Sequence, residues 1–247
     1  MTPILKIMSA LLTYPTRELQ EATGSISEAL DCERELPVDV REALYDLIEK
    51  IATCDLYDLQ ERYVLLFDRT RSLSLHLFEH VHGESRDRGQ AMIDLKDMYE
   101  RNGLAIDAAE LPDFVPLFLE FLSTLPRAEA GDLLGQTAHV FSALAERLRK
   151  RNSPYEAVFR ALTALAAAKP QPDIVAALLA TPDPEPTDLA ALDAAWEDAP
   201  VTFGPGASGC KDELVARVRA GRRPAPGMEP AASGPRIIVT TSSAKPS

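Results

Sequence analysis

The sequence predicts an all-α protein, a single helical bundle of about eight or nine helices with a Pro-rich, largely disordered C-terminal tail. Apolar residues recur three and four positions apart through the first two thirds of the 247-residue chain, as they do in amphipathic helices. No long stretch alternates with the period of two that strands show. Twelve of the 19 prolines lie at or beyond Pro170, where this helical pattern ends.

Start and stop signals bound the predicted helices. The residue before Pro15 is disfavoured in the α region, which ends the first helix there. Pro37 suits a first helical turn, and Gly103 supplies a left-handed residue that closes a helix. Ser153 is a predicted N-cap with Pro154 at the first helical position. Helices this short must pack together to be stable. The predicted segments are 4–12, 16–30, 37–52, 55–68, 85–104, 111–126, 131–152 and 153–169.

The proline distribution divides the chain into two parts. We expect an all-helical domain over residues 1–169 and a flexible Pro-rich tail over residues 170–247. A segment so rich in proline cannot build much core. A short helical island near residues 187–198, which carries the single tryptophan, interrupts the tail. The run "RIIVTT" at 236–241 is the one short β-like stretch.

Charge and composition exclude several classes of function. The net charge is −12, which argues against nucleic-acid binding through clustered Lys and Arg and suits a positively charged partner. No apolar run is long enough to span a bilayer, and the start lacks a basic region and cleavage site, so we expect no stable membrane association. The cysteines at 32, 54 and 210 are far apart, which indicates a reducing compartment and a cytoplasmic protein.

The stretch "LSLHLFEHVH" at 73–82 holds three of the four histidines. On a helix, His76 and His80 would share a face, and zinc accepts two imidazoles with one carboxylate. However, the HExxH pattern requires Glu directly after the first His, where this chain has Leu77. A metal-dependent hydrolase or redox protein using His76 and His80 is therefore an alternative rather than the favoured function. We predict no catalytic residue, no metal and no cofactor.

Other enzyme motifs are weak or absent. The run "GPGASG" at 204–209 matches GxGxxG, but it lies in the Pro-rich tail without the preceding strand and following helix that a dinucleotide site needs. We interpret it as a flexible loop. The chain has no GxSxG elbow and no GxxxxGK[ST] loop. These observations do not favour an enzyme.

The stretch "YVLLFDRTRSLSLHLFEHVH" at 63–82 is instead suited to a binding surface. Its leucines are core residues by default. A run that is apolar on several faces with acids at its edges also suits a groove that receives an amphipathic, basic peptide. The negative charge of the chain favours the same partner.

The longer run "YVLLFDRTRSLSLHLFEHVHGESRDRGQAMIDL", residues 63–95, closely resembles the signature stretch of the respiratory nitrate reductase delta-subunit family, the NarJ-like molybdenum-cofactor assembly chaperones. The segments "ALLTYP" and "PVTFG" are also similar to that family, and the resemblance covers roughly 1–170 with 196–204. It implies an all-helical chaperone without enzyme activity. Such a protein binds the N-terminal segment of the apo catalytic subunit of respiratory nitrate reductase. It keeps that subunit competent for molybdenum-cofactor and iron–sulfur cluster insertion before membrane docking.

The resemblance also implies which residues line or support the peptide groove. Apolar members would accept the hydrophobic face of the peptide, and acidic members would pair with its Lys or Arg. Besides the apo catalytic subunit, molybdenum-cofactor biosynthesis proteins are candidate partners. A structural subunit that stays in the finished complex is a further alternative. The predicted peptide-binding residues are Tyr63, Phe67, Asp68, Leu73, Leu75, His76, Phe78 and Glu79.

Overall fold

The computed structural model describes residues 3–82, 87–106, 110–180 and 236–238, and these residues are mostly helical. The all-α prediction is thereby confirmed. The helices are α1 (Pro3–Leu11), α2 (Arg17–Asp31), α3 (Val38–Thr53), α4 (Leu56–Tyr63), α5 (Leu77–His82), α6 (Asp87–Arg101), α7 (Val115–Thr124), α8 (Arg127–Lys150), α9 (Glu156–Leu165) and α10 (Pro172–Leu179). A π-type turn (Val64–Asp68) and a 3₁₀ turn (Arg71–Leu73) lie between α4 and α5.

The core lies between α1, α7, α8 and α9. Helix α7 is buried at most of its positions and packs against α1, while the long α8 packs along α9. Phenylalanines from three of these helices are fully buried, at 118, 121, 141 and 159. Helices α2 and α3 pack on each other at one side, and α3 also contacts α9. Within the described residues, no helix is both long and apolar enough to cross a membrane.

The segment 55–68, predicted as one helix, changes its hydrogen-bonding pattern at its end. Helix α4 ends at Tyr63, and the backbone N–H of Arg69 donates to the carbonyl of Val64 at 2.9 Å, five residues earlier. The hydroxyl of Thr70 then donates to the carbonyl of Leu65 at 2.8 Å. Such π-type turns are frequent at functional sites. Here the turn ends α4, and the chain continues from it into the 73–82 stretch.

The predicted N-cap at Ser153 is wrong. Helix α9 begins at Glu156, and the carbonyl of Ser153 accepts the backbone N–H of Glu156 at 3.1 Å as part of a preceding turn. The hydroxyl of Ser153 is buried with no hydrogen-bond partner among the described residues. Because a backbone turn separates Ser153 from the start of α9, its side chain does not cap the helix.

Two described elements lie within the segment predicted as the tail. Helix α10 packs on α8, directly after residue 169. Strand β2 (Arg236–Ile238) pairs in parallel with β1 (Leu104–Ile106). The pairing confirms the β-like prediction for residues 236–238 of the run "RIIVTT", whereas β1 was not predicted. The helical island near 187–198 and the 204–209 loop lie outside the described residues.

Candidate functional site

The stretch 73–82 bends before it becomes helical, and the start of α7 holds this bend. The backbone N–H of Val115 donates to the carbonyl of Leu75 at 2.8 Å, and that of Leu77 donates to the carbonyl of Asp113 at 3.0 Å. Between these bonds, His76 pairs with Phe114 in an isolated antiparallel bridge. His76 therefore precedes α5, while His80 lies within it.

Asp113 is the polar centre of this bend, although it comes from a distant part of the chain. Its side chain is fully buried. One carboxylate oxygen, Oδ2, accepts the backbone N–H of Phe78 at 3.0 Å, and the other, Oδ1, lies 3.1 Å from Nδ1 of His76. A carboxylate at the first turn of α5 also complements the positive end of the helix dipole. Sequence reasoning did not find this residue.

The two histidines of the stretch have different surroundings. Burial disfavours the imidazolium of His76, but the hydrogen bond and charge of Asp113 outweigh it, so the pKa of His76 is raised. Nε2 of His80 donates to the carbonyl of Ser74 at 2.8 Å, and burial lowers the pKa of His80. We infer that His80 is neutral near pH 7, whereas His76 is the more easily protonated of the two.

The structure does not assemble a metal site from these residues. His76 bonds Asp113 and His80 bonds Ser74, while the carboxylate of Glu79 lies 3.3 Å from the guanidinium of Arg88. Over the described ranges, no group of three or more His, Cys, Asp or Glu side chains could hold a metal ion. The metal-centred alternative thus has no ligand set in this part of the chain.

The predicted peptide-binding residues divide into a buried set and a solvent-facing set. Asp68 is exposed, and the side chains of His76 and Glu79 are 25% and 26% exposed. These three polar side chains are therefore accessible at the surface. The apolar members are in the core, each at most 5% exposed: Phe67, Leu73, Leu75, Phe78 and, at 4%, Tyr63.

The buried aromatic members belong to a ring cluster that reaches the surface. The hydroxyl of Tyr63 donates to the carbonyl of Leu12 at 2.9 Å, which ties α4 to the end of α1. Its ring centre lies 5.0 Å from that of Phe67 and 5.6 Å from that of Tyr14. Tyr14 is half-buried. A floor of rings in edge-to-face and tilted contact therefore ends at a partly open aromatic side chain.

Tyr14 lines an open cleft of about 270 Å³ beside the π-type turn, which we call the tyrosine cleft. Tyr57 stands on its wall and is 79% exposed. Asp68 lies in the same turn, where partial burial raises the pKa of its carboxyl against the opposing charge of His76. Sequence reasoning missed Tyr57, although a large aromatic on the outer side of α4 is a signal for binding. The lining residues are Tyr14, Tyr57, Gln60, Glu61, Val64, Leu65 and Arg69.

Comparison with known proteins identifies the family. The family model described as nitrate reductase delta subunit matches residues 33–161. The chain is 42% identical over 211 residues to the nitrate reductase molybdenum cofactor assembly chaperone NarJ of Escherichia coli strain K12, covering 85% of this chain and 89% of that protein. The chain belongs to the nitrate reductase delta-subunit family.

Two further relatives of this delta-subunit chain support the assignment. One is the probable nitrate reductase molybdenum cofactor assembly chaperone NarW of the same strain, 40% identical over 200 residues, or 81% of this chain and 83% of that protein. The other is the probable NarJ chaperone of Bacillus subtilis, 30% identical over 161 residues, or 64% and 84%. The resemblance inferred from residues 63–95 is confirmed, and that stretch lies inside the range matched by the delta-subunit model.

Proposed function

We propose that this chain is a dedicated assembly chaperone of respiratory nitrate reductase. It binds the N-terminal segment of the apo catalytic subunit in the cytoplasm and keeps that subunit competent for insertion of the molybdenum cofactor and iron–sulfur cluster before membrane docking. The observation that carries this proposal is the 42% identity to a nitrate reductase molybdenum cofactor assembly chaperone over most of both chains.

The tyrosine cleft is the surface that best suits such a peptide. Its exposed Tyr57 and half-buried Val64 and Leu65 offer apolar contact area, as a groove for an amphipathic helix requires. Glu61 lines the cleft, and the exposed Asp68 lies in the adjoining π-type turn; both carboxylates would pair with Lys or Arg of the peptide. The cleft would hold a few anchoring side chains, while the rest of the peptide helix lies across its rim.

The predicted peptide-binding residues then have two roles. The solvent-facing Asp68, His76 and Glu79 contact the peptide or its flanks. Tyr63 and Phe67 support the floor beneath Tyr14. The remaining apolar members maintain the shape of the bend before α5: Leu73, Leu75 and Phe78.

The mechanism is binding rather than catalysis. A chaperone that binds only the immature subunit stabilises that state by mass action, in proportion to the logarithm of its concentration over Kd. The chain needs no catalytic residue or cofactor of its own for this role. Release follows when the matured subunit no longer presents the segment. Molybdenum-cofactor biosynthesis proteins would then act on the bound subunit.

Calorimetry with a synthetic peptide of the N-terminus of the catalytic subunit tests the site. We expect Tyr57→Ala to weaken binding about tenfold, because exposed tyrosines that become buried are frequent hot spots. Val38→Ala is the matched control, since Val38 is 61% exposed on α3 and does not line the cleft. Absence of binding by the folded wild-type chain would contradict the proposal.

Affinity purification from cells that make nitrate reductase tests the biological role. We expect tagged protein to retain catalytic subunit that lacks molybdenum. Recovery of the chain in mature membrane enzyme would instead favour a permanent structural subunit. Elemental analysis of the purified chain serves as a further control, because stoichiometric zinc or iron would favour the metal-centred alternative.

A further inference from the structure

Helix α10 is attached to the bundle by a small interface. Half-buried side chains of Val175 and Leu178 face the bundle, whereas Ala176 and Ala177 are exposed, and no residue of α10 is fully buried. An eight-residue helix is not stable alone and depends on this contact with α8. Elements with few buried apolar groups open at low free-energy cost. Helix α10 is therefore suited to leave α8 without unfolding the core.

A buried arginine joins α10 to the turn that precedes the bend. Arg147 of α8 is 3% exposed. Its Nη1 donates to the carbonyl of Ser72 at 2.7 Å, and its Nη2 donates to the carbonyl of Leu178 at 2.8 Å. Because the guanidinium is planar, these two charge-assisted bonds have a fixed relative geometry. One side chain therefore contacts both the 3₁₀ turn at Arg71–Leu73 and the end of α10.

We propose that docking of α10 and the shape of the Arg71–Leu73 turn are coupled through Arg147. When α10 leaves α8, Nη2 loses the carbonyl of Leu178 and water reaches the guanidinium. Water then competes for Nη1, and the bond that orients the carbonyl of Ser72 weakens. The turn leads directly into the bend at His76, so its loosening alters the solvent-facing side of that bend.

Coupling of this kind is reciprocal. A ligand that stabilises the bend must also stabilise docked α10, by the same factor in binding free energy. This step rests on the proposed peptide binding, whereas the coupling between α10 and the turn does not. Docking of α10 on α8 would then influence peptide affinity without contact between α10 and the peptide.

Hydrogen exchange of the full-length chain tests the coupling without any ligand. Leu178→Asp places a charge at the α8 contact, and Ala177→Asp places the same charge on the exposed side of the same helix. The amide of Ala180, which donates to the carbonyl of Ala176 at 3.0 Å, reports undocking and fraying of α10. We expect Leu178→Asp, but not Ala177→Asp, to accelerate exchange of the Leu73 and Ser74 amides about tenfold. If the Leu178→Asp chain does not fold, Leu178→Ala gives the same comparison without a charge.

Accelerated exchange in α10 with an unchanged turn would overturn the proposal. Arg147→Lys identifies the connecting residue, because a single ammonium cannot reproduce the planar pair of bonds. In that background we expect Leu178→Asp to add no further acceleration at Leu73 and Ser74. An undiminished effect would overturn Arg147 as the link.

Peptide addition provides the reciprocal measurement. We expect the peptide to slow exchange of the α10 amides in the wild type, and Leu178→Asp to weaken peptide binding about tenfold relative to Ala177→Asp. If the peptide binds but does not slow exchange of the α10 amides, the proposed coupling between peptide binding and α10 docking would be overturned. Failure of the wild type to bind peptide would overturn the proposed function, while the ligand-free exchange still decides the coupling.

Discussion

Nδ1 of His76 lies 3.1 Å from Oδ1 of Asp113, and the carboxylate of Asp113 is fully buried while the imidazole is one quarter exposed. This pair joins the middle of the histidine-rich stretch to the segment that leads into α7, two residues before that helix begins. A histidine that looked like a metal ligand is thus part of a structural contact that shapes the bend. The same carboxylate accepts the backbone N–H of Phe78 at the start of α5.

Replacement of Asp113 by alanine should destabilise the fold. The change leaves the buried N–H of Phe78 without its acceptor and removes the partner of His76. We expect the free energy of unfolding to fall by about 2–4 kcal/mol, measured by urea denaturation. Asp46→Ala is the control, since Asp46 is exposed on α3. Equal small losses in both variants would show that the bend does not depend on Asp113.

The raised pKa of His76 predicts a pH dependence of stability. Because the folded-state pKa lies above its ordinary value of 6.5, the contribution of protonated His76 is fully present below about pH 6.5 and is lost as pH rises through the folded pKa. We therefore expect the difference in unfolding free energy between the wild type and His76→Gln to be larger at about pH 6 than at about pH 8. A difference that grows towards alkaline pH would contradict the assignment.

His80 should show the opposite dependence. Burial lowers its pKa below the ordinary 6.5, so neutral His80 favours the folded state above about pH 6.5 and this advantage is lost as pH falls towards the folded pKa. His80→Gln keeps a donor for the carbonyl of Ser74 but does not titrate. We expect wild type and variant to differ in the slope of unfolding free energy between about pH 5 and 7, with the wild type losing more on acidification. Parallel slopes would show that His80 does not couple to folding.

The apolar periodicity of the sequence predicted most helices, because burial of one face dictates where hydrophobic residues recur. The stripe over 37–52 became α3, with Leu44, Leu47 and Ile51 buried. Local backbone chemistry was less predictable. The change to π-type bonding after Tyr63 does not disturb the apolar pattern of a helix, so the pattern cannot reveal it. Ser153 followed by proline has the sequence of a helix N-cap, but the backbone forms a turn there and the serine does not cap α9.

Contacts between distant segments account for what the sequence could not predict. Asp113 lies 37 residues from His76, and no spacing rule relates them. Strand β1 has three residues and a partner more than 100 positions later, too short for a period-two pattern to appear. Five of the eight binding residues predicted in the block 63–82 are buried. Accessibility of Tyr57 depends on the packing of α4, which only the structure supplies.

Tyr63 and Tyr57 should separate folding from binding. Tyr63→Phe removes the hydroxyl that donates to the carbonyl of Leu12 in the core. We expect it to lower the free energy of unfolding by about 1–2 kcal/mol and to leave peptide affinity within about twofold. Tyr57→Ala should leave stability nearly unchanged and weaken peptide binding. Chemical denaturation and calorimetry on both variants check this, and a strong affinity loss in Tyr63→Phe would place its hydroxyl at the peptide.

Two glycine-to-alanine changes should have opposite effects on stability. In α8, a Cβ at Gly135 would lie 3.0 Å from the backbone nitrogen of Ala168 and 3.1 Å from its Cβ, so the segment before α10 must shift. We expect Gly135→Ala to lower the free energy of unfolding by about 1–3 kcal/mol. A Cβ at Gly24 in α2 meets nothing within 4 Å. Gly24→Ala should raise the free energy of unfolding by about 0.5–1 kcal/mol, because alanine loses less conformational entropy in a helix.

Urea denaturation of both variants, with hydrogen exchange across α10, checks these two effects. If Gly135→Ala displaces the segment at Ala168, exchange in α10 should accelerate, since this segment leads directly into that helix. Exchange in α10 should be unchanged in Gly24→Ala, which alters a helix elsewhere in the bundle. Stabilisation by both changes would show that the segment at Ala168 moves without cost. Unchanged exchange in α10 of Gly135→Ala would show that the close approach of this segment to α8 does not hold α10 in place.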